Sequence, residues 1–314
     1  MNLCPSVFIS VRISIAPHQR LSAFLLMRSL RTFLDMIKFE HTVFALPFAY
    51  LGMCLAAKGW PTLSQFFWIT LAMAAARTAA MSFNRFIDRA LDARNPRTAS
   101  RPIQAGRIRA GQVAFAAVLS LAVLGFAAWQ LNPLVFMLWP GAVLFLVGYS
   151  YTKRFTWLCH FVLGFTDGLA PLGAWAAITG SLLRPADLPA FLLTAIVTLW
   201  IGGFDILYAM QDIDVDKRDG LHSIPARFGV GAGLTVTRLC HLFTVALLVA
   251  VGLLTGLGWP YWLGVAVAAA LFIYEHRLIS PTDLSKLDLA FFNVNGYISV
   301  AIFAATLAAL LLKP

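Results

Sequence analysis

The sequence predicts an all-α polytopic membrane protein of about nine transmembrane helices, bundled as two pseudo-repeated four-helix halves plus one. Three observations carry that expectation. Of the 314 residues, 60% are hydrophobic and only 12% charged, against roughly 45–50% and about 25% in a soluble globular domain. Mean hydropathy is +0.79, and the apolar residues come in long unbroken blocks. In lipid only helices and closed barrels satisfy their backbone polar groups, and a barrel would show alternating segments of roughly ten residues, which these blocks are not. The same composition excludes a disordered chain, a disulfide scaffold and an ordinary cytosolic α/β enzyme. Cys4, Cys54, Cys159 and Cys240 stand far apart, with no C-x-x-C and no histidine pair nearby, so no disulfide framework or zinc site is implied.

In chain order, residues 1–28 are interrupted by Arg12, Arg20 and Arg28. They read as an extension, either a disordered tail or a start assigned too far upstream, and residues 29–314 as one membrane domain. Leu30–Ile37 places Leu30, Phe33, Leu34 and Ile37 on one helical face, which reads as an interfacial helix or as a cytosolic prolongation of the first span. Spans are then expected over Thr42–Ala57, Ser64–Asn84, Ala110–Gln130, Pro133–Tyr149, Thr156–Thr179, Leu188–Tyr208, Thr237–Leu257, Pro260–Ile273 and Leu289–Leu312. Nine spans put the termini on opposite sides. With the N-terminus inside, 20 of the 24 Lys and Arg residues face the cytoplasm, while only Lys58, Arg184 and Lys313 face away and Arg77 lies within the second span. This positive-inside bias predicts a cytoplasmic N-terminus and accounts for the net charge of +10 without nucleic acid.

The charged residues are not scattered evenly. Six of the fourteen acids are Asp88, Asp92, Asp212, Asp214, Asp216 and Asp219, all at the cytoplasmic ends of the second and sixth spans. An Asp at mid-membrane costs about 2.5–3.5 kcal/mol on insertion scales, so acids gathered at span ends imply a polar cavity reached by water. Asp88 and Asp92 are i and i+4, one turn apart on one helical face. Asp212 and Asp216 repeat the arrangement, with Asn84 and Tyr208 one turn further toward the membrane. Two like charges one turn apart repel, and a divalent cation relieves the repulsion. Mg²⁺ takes carboxylate oxygens and is usually shared with substrate phosphates, so two such pairs facing each other would hold magnesium on a diphosphate. Between the second and third spans lie seven arginines, from Arg85 to Arg109. Arginine forks match phosphate oxygens, which makes Arg97 and Arg101 candidate diphosphate ligands among residues that otherwise set topology.

The stretch carrying Asn84, Asp88, Asp92, Arg97, Thr98, Arg101 and Pro102 resembles the first aspartate-rich motif of the UbiA superfamily of intramembrane aromatic prenyltransferases. The stretch carrying Asp205, Tyr208, Ala209, Asp212, Asp216 and Gly220 resembles its second motif, and Tyr151, Lys153, Arg154 and Thr156 look like the segment between its fourth and fifth helices. The resemblance implies Mg²⁺-dependent transfer of a polyprenyl group from polyprenyl diphosphate to an aromatic acid in a bacterial-type inner membrane. It implies that Asp88, Asp92, Asp212, Asp216 and Asn84 bind metal, and that Asp205 meets the acceptor's phenol or helps remove a proton. Lys38, Lys153, Arg154 and Tyr208 are then further substrate ligands, with Arg154 proposed for the acceptor's carboxylate or, equally, as an interface anchor. The acceptor is 4-hydroxybenzoate, as in ubiquinone synthesis, or a dihydroxynaphthoate, as in the futalosine route to menaquinone. Asp167 has no place in these motifs, and His41, His160 and His222 show no metal spacing. No obligate protein partner is evident. Two rivals fit less well. A CDP-alcohol phosphotransferase would need a D-G-x-x-A-R opening that is missing, and a transporter would place its acids near the midplane.

Overall fold

The computed structural model describes residues 30–38, 42–280, 283–284, 286–287 and 293–312; the expected extension lies outside them. The helices are α1 (Thr42–Ala57), α2 (Leu63–Ile87), α3 (Arg89–Arg94), α4 (Ala110–Leu131), α5 (Pro133–Thr152), α6 (Cys159–Thr179), α7 (Leu188–Ala209), α8 (Ile213–Asp219), α9 (Ile224–Thr255), α10 (Trp259–Leu278) and α11 (Asn295–Leu311). No strand occurs among the described residues. Among the described residues six segments are long and apolar enough to cross a membrane: Leu63–Ile87, Ala110–Leu131, Pro133–Thr152, Cys159–Thr179, the run Pro185–Asp219 that contains α7, and Ile224–Thr255. Leu46–Ala57 and Asn295–Leu311 are shorter apolar helices. The protein is an integral membrane protein of helical type.

Local chemistry fixes where these helices begin. Thr62 and Gln65 form a reciprocal capping box at the start of α2, satisfying two N–H groups the helix cannot. Asn132 accepts from the Val135 N–H at 3.0 Å and donates to the Ala176 carbonyl at 2.9 Å, so one side chain both starts α5 and ties it to the end of α6. Ser223 caps α9, with Pro225 in the first turn. The largest departure from expectation is here: α9 begins at Ile224, well before Thr237. Arg227, Gly229, Gly231 and Gly233 dilute the apolar pattern of that first part, and the backbone breaks at Gly229 (φ 85°, ψ 169°).

Residues 30–36 are helical, and Met36 and Ile37 are buried against Val113, with Phe86, Ile103 and Ile108 around them. The segment is therefore packed on the ends of α2 and α4, with Leu30 exposed, and it positions Lys38 beside the cavity described below.

Helices α1, α6, α7, α9, α10 and α11 pack in a closed succession, and α2, α4 and α5 pack against one another and onto α6. Helices α6 and α7 approach closely: a Cβ on Gly164 would lie 2.2 Å from the Thr198 carbonyl oxygen, and one on Gly168 2.8 Å from that of Thr194. Only glycine permits this approach, and it sets the N-terminal end of α6 against the C-terminal end of α7. The main core joins Phe48, Trp175, Trp200, Tyr261 and Phe272. A second cluster, including Ile206, Leu207, Met210, Ile224 and Leu234, supports the second acidic segment from below. Large apolar side chains such as Phe115, Met137, Leu144, Leu242 and Leu253 point outward, as a lipid-facing surface requires.

Candidate active site

The helices end where the acids begin. At Asp88 the backbone turns (φ −87°, ψ 1°) and α2 gives way to α3. The Asp88 N–H still donates to the Asn84 carbonyl and the Asp92 N–H to that of Asp88, so Asn84, Asp88 and Asp92 keep one-turn spacing across the break. In the second motif, α7 passes through a short 3₁₀ turn, Met210–Asp212, into α8, which Gly220 ends in a left-handed conformation (φ 66°). Both acidic segments thus stand on short helices beyond the ends of long ones.

Asp88 is 2% exposed. It receives Lys153 Nζ at 2.6 Å, Arg154 Nη2 at 2.9 Å and Asn84 Nδ2 at 3.1 Å. Asp92, 7% exposed, receives Arg101 Nη1 at 2.7 Å. Across the site, Asp212 receives Asn95 Nδ2 at 2.8 Å and both Nε and Nη2 of Arg97, while Arg97 Nη1 donates to the Tyr208 hydroxyl at 2.8 Å. The Ser223 hydroxyl donates to Asp216 at 2.8 Å. Burial works against the Arg97 charge, but its bonds to Asp212 outweigh burial and raise its pKa above the ordinary value, so it stays a cation. The loop after the first motif is thereby fastened to the second, and Arg218 adds a bond to the Arg94 carbonyl at 2.9 Å.

These groups surround one cavity of about 830 Å³. Eleven of the twelve residues singled out in the sequence line it: Lys38, Asn84, Asp88, Asp92, Arg97, Arg101, Lys153, Asp205, Tyr208, Asp212 and Asp216. Arg154 does not. Its guanidinium is held by Asp88, by the Ser150 and Ile87 carbonyls and over the Tyr151 ring. Among the described residues no three carboxylate, imidazole or thiolate groups form a closed metal cage. What exists is an open, oxygen-rich set whose negative charges are matched by flexible cations, the arrangement a hard cation shared with a phosphate needs.

A second space of about 380 Å³ lies between α2, α4, α5 and α6. Its wall is aliphatic and aromatic, including Ile69, Leu124, Leu138, Trp139 and Phe145. Met73, Arg77, Met81, Tyr149, Leu163, Asp167 and Ala170 line both spaces, so the polar cavity continues into an apolar one.

Sequence reasoning overlooked several contributors. Asn95 binds Asp212 from 117 positions away. His160 Nδ1 is 2.6 Å from Asp205 Oδ2, and Arg77 carries a buried Nε with no hydrogen-bond partner. None forms a periodic pattern with its partner. The position of Asn95 between Asp92 and Arg97 is the sole local hint.

Fold and cavity together are those of an intramembrane prenyltransferase, an all-helical bundle with two acid-tipped helix ends on one chamber. The chain belongs to the UbiA prenyltransferase family, whose model matches residues 45–297. It is 31% identical to the 4-hydroxybenzoate octaprenyltransferase of Pseudoalteromonas translucida, covering 82% of this chain and 86% of that protein. It is 35% identical to the 4-hydroxybenzoate octaprenyltransferase of Marinobacter nauticus, covering 81% and 85%. Among solved structures, the apo UbiA homolog from Aeropyrum pernix K1 matches with a TM-score of 0.79 at 31% identity, over 86% of this chain and 98% of that one. A UbiA homolog from Archaeoglobus fulgidus bound to DMAPP and Mg²⁺ shares the fold, with a TM-score of 0.66 at 18% identity over 90% of this chain and 100% of that one.

Proposed function

We propose that this protein transfers a polyprenyl group from polyprenyl diphosphate to 4-hydroxybenzoate, as a step in ubiquinone biosynthesis. The single observation that carries the reading is the shared chamber. Asp88 and Asp92 from one half and Asp212 and Asp216 from the other line one cavity, which runs on into an apolar pocket. A substrate with a polyanionic head and a long hydrocarbon tail needs both parts, side by side. The two relatives named above, which match over most of their own length, are 4-hydroxybenzoate octaprenyltransferases, which supports the acceptor.

The four carboxylates and the Asn84 amide fit Mg²⁺, which prefers oxygen and leaves positions for phosphate. When bound, magnesium neutralises charge on the departing diphosphate. The chain's own residues do the rest. Lys38, Arg97, Arg101 and Lys153 line the cavity and offer donors to diphosphate oxygens, Arg97 and Arg101 as two-pronged forks. The bond between the allylic carbon and the diphosphate oxygen breaks with its electron pair on that oxygen. The acceptor carbon beside the hydroxyl supplies the pair for the new carbon–carbon bond, and the hydroxyl proton passes to Asp205. The proton on the attacked carbon then passes through cavity water to the ring oxygen, restoring the hydroxyl and the ring's aromaticity, so that the one net proton released is the one left on Asp205. Asp205 stands on α7 seven residues before Asp212, about two turns deeper into the membrane, where the ring must lie if the diphosphate sits at the acids. Arg77 lines both spaces and is a cation that the acceptor's carboxylate could meet there, beside the role that the motif resemblance gives Arg154. The apolar walls keep water from the allylic cation.

The positive-inside distribution supports nine spans with the N-terminus and the chamber on the cytoplasmic side. Membranes carrying the protein, given labelled polyprenyl diphosphate with 4-hydroxybenzoate and dihydroxynaphthoates in parallel, are expected to yield prenylated hydroxybenzoate by mass spectrometry. A product from the naphthoates alone would move the acceptor to the menaquinone branch. No product from any aromatic acid would contradict the reading.

A further inference from the structure

The hydrogen-bond pattern around His160 goes one step further. His160 is the second residue of α6 and its side chain is 3% exposed, whereas the Asp205 side chain is 27% exposed and lines the cavity. The backbone N–H of Ile224 donates to His160 Nε2 at 3.2 Å. That nitrogen is therefore an acceptor, and the ring proton sits on Nδ1, 2.6 Å from Asp205 Oδ2. Three elements meet at this imidazole: α6 supplies the ring, α7 the carboxylate and the start of α9 the amide. The close α6–α7 approach at Gly164 and Gly168 leaves the ring little room to turn.

We propose that His160 is the positioning residue of the acceptor site: it grips one oxygen of Asp205 with a fixed N–H and leaves the other oxygen to the aromatic acceptor's hydroxyl. The inference rests on the role given to Asp205 above. With both ring nitrogens already engaged, His160 has no free lone pair and cannot carry the proton onward. The hydroxyl proton stops on Asp205 and returns to water through the cavity. A carboxylate on α7 without this grip would rotate about its own side-chain bonds, and misplacement of about 1 Å costs on the order of a hundredfold in rate.

The test compares His160→Phe, which fills the space without a donor, with His160→Asn, whose amide can place an N–H near the former Nδ1 but offers nothing to the Ile224 amide. His160→Phe is expected to lower kcat at least about tenfold, with the KM for polyprenyl diphosphate unchanged within about twofold and the effect confined to turnover and to use of 4-hydroxybenzoate. His160→Asn is expected to regain most of the loss. Wild-type kcat in His160→Phe, or equal loss in both variants, would overturn the proposal, the latter by showing that the Ile224 contact is what matters. Should His160→Phe fail to accumulate in membranes, a double-mutant cycle of His160→Ala with Asp205→Asn decides: strong coupling supports the proposal and additivity overturns it. If Asp205→Asn alone leaves kcat unchanged, the Asp205 reading itself has failed, which is a separate result from a failure of His160.

Discussion

Asp88→Ala and Asp212→Ala are each expected to reduce prenyl transfer at least about a hundredfold while the protein remains folded in the membrane. Removing one preorganised group that stabilises developing charge typically costs 10²–10³ in turnover, and here each carboxylate serves twice. It is one arm of the proposed magnesium site, and it also holds the basic side chains that face the diphosphate. Asp88 gathers Lys153, and Asp212 gathers Arg97. Losing either leaves cations without their counter-charge in a polar, water-reached chamber, so activity should suffer more than folding. Asp88 is nearly buried, and breaking a buried pair from one side can cost 3–5 kcal/mol, so Asp88→Asn, which keeps the shape and one hydrogen-bond acceptor, is the companion variant. Membrane content measured beside product formation separates the two effects. Wild-type rates in both Asp88→Ala and Asp212→Ala would refute the metal assignment.

Asp205→Asn should give an effect at least as large, of a different kind. A positioned acid or base contributes about 10²–10⁴ in rate, so kcat is expected to fall by that order. The KM for polyprenyl diphosphate should stay within about twofold, because Asp205 bonds His160 and none of the basic residues proposed for the diphosphate. Asparagine preserves an oxygen for the His160 N–H, so the variant removes basicity and little else. Steady-state kinetics with each substrate varied in turn reads the split. A rise in the diphosphate KM without loss of kcat would remove Asp205 from the proton's path.

The contrast between what the residues announced and what they concealed has a physical basis. The apolar blocks were legible because lipid tolerates only long helices with satisfied backbones, and where the residues are described each block overlaps a helix, the ninth from Asn295 onward. The acidic pairs were legible because i and i+4 acids at span ends are costly unless something compensates them. Boundaries set by polar residues were not. The six-residue α3 and seven-residue α8 are rich in the charged residues that otherwise mark loops, and the glycine-rich opening of α9 hides a helix behind weak hydropathy. Contacts between distant segments were equally silent. His160 meets Asp205 across 45 positions and Asn95 meets Asp212 across 117, and no local periodicity encodes either. The partners of Arg154 were silent for the same reason: its bonds to Asp88 and to the Ile87 carbonyl reach 66 and 67 positions along the chain.

The central claim is that opposite halves of the bundle hold magnesium and diphosphate in one chamber. A magnesium titration of polyprenyl transfer to 4-hydroxybenzoate, in purified protein freed of metal with EDTA, addresses it most directly. No prenylated product is expected without the ion, saturable recovery is expected as it is added back, and Asp88→Asn and Asp212→Asn should each shift the half-saturating concentration upward. Transfer that proceeds undiminished in EDTA, or a magnesium response identical in wild type and both variants, would contradict it.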